Sequence, residues 1–158
     1  MKKAFLTLLL ISICQLIFAQ SITFSELVKL LRSRSGDIEN ALNSKGFSVS
    51  RVVNNGGKVW DKQTPSYGTE SIWIGYYLTR KDDTIKHYAL TYVQHDLAYM
   101  IDLAKSIPTF TLKQKDPSAD VVTYYYESDD FYLQISMSKD PQKNPYGIIL
   151  IDKKSKRD

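Results

Sequence analysis

The groups that could do chemistry in this 158-residue chain are few, and their spacing holds them apart. Its two histidines are His87 and His95. On one straight strand they would stand about 26 Å apart at roughly 3.3 Å per residue, too far to share a metal ion or to work as a catalytic pair. His87, between Lys86 and Tyr88, suits a surface or edge position. His95 falls where a strand gives way to a helix. An enzymatic alternative is therefore a small hydrolase-like site that uses His95 with Asp96 or Asp102, and it requires those side chains to converge in a pocket. The acidic pairs Asp82-Asp83 and Asp129-Asp130 could bind a cation or divide acid and base roles. Both lie in turns, where aspartate is favoured because it bonds nearby backbone. No His/Cys cluster, calcium loop or serine-nucleophile signature occurs, and Asn54-Asn55-Gly56-Gly57 lacks the glycine-lysine spacing of a phosphate loop. The residues point to no catalytic set, no cofactor and no metal.

What stands out is the aromatic content, 11 tyrosines in all. Eight of them, Tyr76, Tyr77, Tyr88, Tyr92, Tyr124, Tyr125, Tyr126 and Tyr132, fall in stretches with strand character. Tyrosine and tryptophan offer a large contact area with a polar handle. Trp73, Tyr77, Tyr88, Tyr92, Tyr124 and Tyr126 are accordingly a candidate binding surface for a protein, peptide or glycan. The same residues serve equally for cross-strand packing inside the domain. A nucleic-acid surface would interleave lysine and arginine with the aromatics, and that pattern is missing.

The ends of the chain bear on where it works. Lys2 and Lys3 open an apolar run, Ala4 to Phe18, that closes on Ile17-Phe18-Ala19, the pattern of a secretory signal peptide cut near Ala19. The run is short for a membrane anchor, which needs roughly 20 apolar residues. Ile13 precedes Cys14 where a lipid-attachment signal would have a small residue. The expectation is an exported protein, periplasmic or secreted, with no stable membrane insertion after cleavage. Removing Lys2 and Lys3 from 21 basic residues leaves 19 against 17 acidic ones, a net charge of +2 that argues for neither nucleic acid nor membrane. The only cysteine departs with the leader, so the mature chain has no disulfide or thiolate. About 140 residues can bury enough surface to fold without one. Residues 20–152 read as one domain and 153–158 as a disordered basic tail.

Several elements must position these side chains. Thr23-Phe24-Ser25-Glu26 has capping-box spacing before a helix with Leu27, Leu30 and Leu31 on one stripe. A second short helix follows with Ser35 as its cap. Gly46 suits the left-handed residue that ends it, with Phe47 folding back on Leu42. Strands follow over 47–53 and 58–62, around the turn at Asn54 to Gly57. The central hairpin is Ser71 to Gln94, turning at Arg80-Lys81-Asp82-Asp83. His95-Asp96 opens a helix with Leu97, Met100, Ile101 and Ala104 on one side. Later strands begin at Phe110, Val121, Phe131 and Tyr146. Phe131, Leu133, Ile135 and Met137 alternate with polar residues and Tyr132, as a half-buried strand requires. The fold class is α+β: an antiparallel meandering sheet with helices packed on one face, in an order compatible with two divergent helix-plus-meander halves.

Phe18-Ala19-Gln20 at the leader's end resembles the signals of exported proteins from Bacteroidetes-type bacteria. The capped helix running to Lys45-Gly46-Phe47, with aromatic strands after it, is similar to small uncharacterised exported proteins of those organisms. That resemblance brings no functional residue. The order of helix and meander is also similar to the two-repeat architecture of β-lactamase-inhibitor-protein-like folds, a likeness of fold that implies no function.

Overall fold

The computed structural model describes residues 22–53, 57–64, 68–78, 86–105, 107, 109–140 and 145–154, with backbone alone at 76–78, 86, 87 and 104. The leader, the turns at 54–56 and 80–83 and the tail beyond 154 lie outside these residues. Among these residues three helices and eight strands occur in the order α1 (Phe24–Arg32), α2 (Ser35–Ser44), β1 (Ser48–Val52), β2 (Lys58–Thr64), β3 (Gly68–Leu78), β4 (Lys86–Gln94), α3 (Leu97–Lys105), β5 (Thr111–Pro117), β6 (Val121–Glu127), β7 (Phe131–Ser138) and β8 (Tyr146–Asp152). The protein is α+β, with one antiparallel sheet.

Local sequence explains the helix ends. Glu26 N donates to Thr23 Oγ1 at 3.3 Å, and Thr23 N donates back to Glu26 Oε2 at 2.8 Å, so the capping box closes in both directions. Arg34, not Ser35, occupies the cap of α2, and it makes no side-chain capping bond. Ser35 is already helical. The end of α2 follows the expected pattern. Gly46 takes φ +85°, and the N–H of Phe47 donates to Leu42 O at 3.0 Å. A side chain at Gly46 would be strained in that left-handed conformation.

The strand order is β1-β2-β3-β4-β8-β7-β6-β5. Each run of four consecutive strands is a meander whose last member, β4 or β8, reaches the centre and pairs with the other. Two rows of apolar residues cross the seam between them. One runs Trp60, Ile72, Tyr92, Ile148, Ile135, each directly opposite the next. The other runs Ile74, Leu90, Leu150, Leu133. These residues share one buried cluster with Leu27, Leu30 and Leu31 of α1, Ile38 and Leu42 of α2, and Met100 and Leu103 of α3. Each large aliphatic side chain so buried contributes about 1.5–3 kcal/mol.

α3 turns differently from its expected stripe. Leu97 and Ile101 are 46% and 45% exposed, while Met100 and Leu103 are buried. The phase is fixed at the start, where Asp96 Oδ1 accepts from Ala98 N at 2.8 Å and Tyr99 N at 3.3 Å. Tyr99 then reaches inward and donates its hydroxyl to Ile22 O.

Candidate functional site

The six aromatic residues expected to form one surface are divided by strand pleating. Tyr92 is 1% exposed and belongs to the core, where its ring meets that of Tyr99 edge-on at 5.6 Å. Its hydroxyl donates to Glu70 Oε2 at 3.2 Å. Burial, and after it the field of Glu70, pushes the Tyr92 hydroxyl far above its ordinary pKa, so it stays protonated. Tyr88 is half-buried and packs against the same core. Tyr124 and Tyr126 continue the two apolar rows outward, opposite Ile135 and Leu133, and stack on each other at 6.5 Å. Trp73 alternates with the buried Ile72 and Ile74, so it stands on the opposite side of β3. The side chain of Tyr77 lies outside the described residues. Three of the six, Tyr88, Tyr92 and Tyr126, therefore serve the core or its margin, and Tyr124 lies outside it under Lys115.

Of the enzymatic alternative, Asp96 and Asp102 line one groove beside α3 with Thr23 and Tyr99, His95 is not among its lining residues, and each carboxylate has its own partner. The Asp96 carboxylate caps α3, and the Gln94 side chain brackets the Asp96 backbone by accepting from its N–H at 2.6 Å and donating to its carbonyl at 3.0 Å. Asp102 is exposed and pairs with Lys105 at 3.1 Å. His95 is half-buried directly before the cap. Among the described residues, no group of three or more histidine, cysteine, aspartate or glutamate side chains could hold a metal ion. No helix among them is long and apolar enough to cross a membrane.

A different set of aromatics does converge. Phe24 at the start of α1, Phe110 just before β5 and Phe131 at the start of β7 come together from three elements. Phe24 meets Phe110 edge-on at 5.7 Å, and Phe110 stacks on Phe131 at 6.4 Å. They floor an open groove of about 570 Å³, within the roughly 300–1,000 Å³ of ligand sites. Thr109, Thr111, Lys113, Glu127 and the Ser128-Asp129-Asp130 turn form its polar rim. The three phenylalanines are far apart in sequence, and no local spacing connects them. Only the turn beside them carried a signal, through its paired aspartates.

An ionic clasp closes one side of this groove. Lys153 Nζ donates to Glu127 Oε1 at 2.5 Å and to Ser128 O at 2.7 Å, and lies 4.4 Å over the Tyr132 ring. Asp130 is held by Arg32 at 3.2 Å and by Lys154. Arg32 also donates to the buried Asp152 at 3.0 Å and covers Phe131 at 4.5 Å. Lys153 and Lys154, expected at the edge of a frayed tail, are thus fastened to the β6–β7 turn. The bond from Lys153 holds the Glu127 carboxyl below its ordinary pKa, and those from Lys154 and Arg32 do the same for Asp130. A depressed carboxyl pKa stabilises the fold above the unfolded value, and that contribution disappears as pH falls through the folded one. The clasp should therefore open only as pH falls below the ordinary carboxylate range, about 4, and salt should weaken it because both carboxylates reach solvent. NMR titration of the Lys153 and Lys154 side-chain signals measures this. Signals that hold steady down to about pH 2 would contradict it.

Comparison with protein-family models, curated proteins and solved structures finds no significant match for the chain.

Proposed function

We propose that this chain is a non-enzymatic binding module, exported to the cell envelope after cleavage near Ala19, with the groove over Phe24, Phe110 and Phe131 as its ligand site. The observation that carries the reading is the convergence of three aromatic rings from three elements beneath a polar rim. Such a floor supplies apolar contact, and the rim supplies direction and selectivity. A protein, peptide or glycan of the envelope remains the class of partner. Sites on a rigid sheet end hold their geometry better than sites on free loops.

In this reading the helices occupy one face of the sheet and the two meanders are divergent copies of one unit. Two observations support it. Core residues of all three helices share a cluster with strand residues of one parity. The outer strand pairs also slip register by one residue at matching steps, between Val49 and Arg51 in β1 and between Leu112 and Gln114 in β5.

Native mass spectrometry of the protein recovered from its host's envelope fraction tests the function. A bound mass kept by the wild type and lost by a folded Phe110→Ala variant is the expected result. A mass retained equally by both would place binding elsewhere. A second polypeptide retained equally by both would instead favour an envelope-assembly subunit, the reading for which the exposed Leu97 and Ile101 speak.

A further inference from the structure

The groove carries one charge that nothing else among the described residues answers. Glu127 is met by Lys153 and, at 3.8 Å, by Lys113, and Asp130 by Arg32 and Lys154. Asp129 stands exposed at the tip of the β6–β7 turn, lines the groove, and has no ion-pair or hydrogen-bond partner among the described residues. The turn does not need it for closure. Ser128 N donates to Phe131 O at 3.0 Å, and Phe131 N donates to Ser128 Oγ at 3.1 Å. The usual reason for an aspartate in a turn, bonding to local backbone, does not apply here.

The other meander shows what chemistry fits. The register slips follow Val49, opposite Trp60, and Leu112, opposite Tyr126. Two residues before each slip stand Phe47 and Phe110, and two residues beyond each partner stand Lys62 and Ser128. In the first meander Lys62 lies over the Phe47 ring, Nζ 5.5 Å from its centroid, and Phe47 is 2% exposed. In the second, Ser128 is too short to reach across, and Phe110 is half-buried at the floor of the groove. A lysine covers the first ring from within the chain, whereas Lys113 and Lys153 line the groove at the second but pair with Glu127. Aromatic faces attract ammonium groups, and an unpaired carboxylate at the rim adds to that attraction.

We infer that the groove receives a lysine side chain of a partner polypeptide, with its ammonium on Asp129 and its hydrocarbon stem on Phe110 and Phe24. This rests on the groove being the binding site proposed above.

The test is an NMR titration of the full chain with acetyl-Gly-Lys-Gly-amide, following the backbone amides of Thr111, Lys113, Ser128 and Asp129. Saturable shifts at these amides are expected. The same peptide with Nε-acetyl-lysine should bind at least tenfold more weakly. Asp129→Asn, an exposed change, should weaken the lysine peptide about fivefold or more without altering the spectrum elsewhere. Equal binding of the acetylated peptide, or an unaffected Asp129→Asn variant, would overturn the inference while leaving the groove as a binding site. n-Pentylamine binding as tightly as the peptide would overturn the polypeptide as source in favour of a free amine. A competing ligand from the envelope fraction that shifts other amides and leaves these four unmoved would remove the groove itself.

Discussion

Trp60→Ala is expected to cost about 3–5 kcal/mol of stability, the range for emptying a large aromatic site in a core. Trp60→Phe is expected to stay within about 1 kcal/mol of the wild type. Trp60 is 2% exposed and lies opposite Ile72 in the row that crosses the sheet. Among the described residues its buried indole Nε1 has no hydrogen-bond partner. A buried donor left unpaired costs about 1–3 kcal/mol, which phenylalanine would recover while giving up part of the ring's packing. Both variants shed the unpaired donor, but alanine also empties the ring's volume, so the packing loss is small in the phenylalanine variant and dominates in the alanine one. Urea unfolding with unchanged slope separates them. A phenylalanine variant as unstable as the alanine one would show that the indole N–H is paired after all.

Gly75→Ala is expected to destabilise by about 1–3 kcal/mol, the usual range for overpacking. In an ordinary strand interior alanine would be the better residue by roughly 0.5–1 kcal/mol, so the sign of the change is itself diagnostic. Gly75 pairs with Ala89 near the middle of the sheet, and the Trp73 indole folds across it. A Cβ there would lie 2.7 Å from Trp73 Cζ2 and 2.9 Å from the Gly57 Cα. The indole can move and the backbone cannot. Trp73→Leu combined with Gly75→Ala should therefore recover part of the loss, leaving the contribution of the Gly57 contact. Thermal unfolding of the two single variants and the double variant gives the coupling. A neutral Gly75→Ala would mean that the indole does not rest there.

How much could be read beforehand depended on whether the determining contact was local. Thr23 and Glu26 are three residues apart, and Gly46 and Phe47 follow their helix directly, so residue type alone identified both ends. The alternation through Phe131, Leu133 and Ile135 likewise survives in the burial of β7. α3 defeated the same reasoning because it has apolar residues on two sides. Leu97 and Ile101 satisfy helical spacing as well as Met100 and Leu103 do, and the bonds to Asp96 decide between them. The tyrosines left a choice open in a related way. Their strand positions were legible, but which parity faced inward depended on partners elsewhere in the sheet. The groove was illegible for a stronger reason. Phe24, Phe110 and Phe131 meet only after α1 has crossed to the far meander, where Arg32 bonds Asp152 and Asp130.

The seam between β4 and β8 has a bearing on how the chain comes into being. Its pairs run from Gln94 with Tyr146 to Ala89 with Ile151, so the middle of the sheet closes across more than fifty intervening residues. Closing so long a loop is slow, and pairings of this kind dominate the folding time of β-rich proteins. Until β8 has emerged from the ribosome, Leu90 and Tyr92 have no partner strand on that side, and neither meander can finish its core. β8, more than fifty residues downstream of β4, is the strand that completes the first half. A chain built this way keeps the inner edges of both meanders open until β8 joins them, so the first meander cannot be completed by its own residues alone.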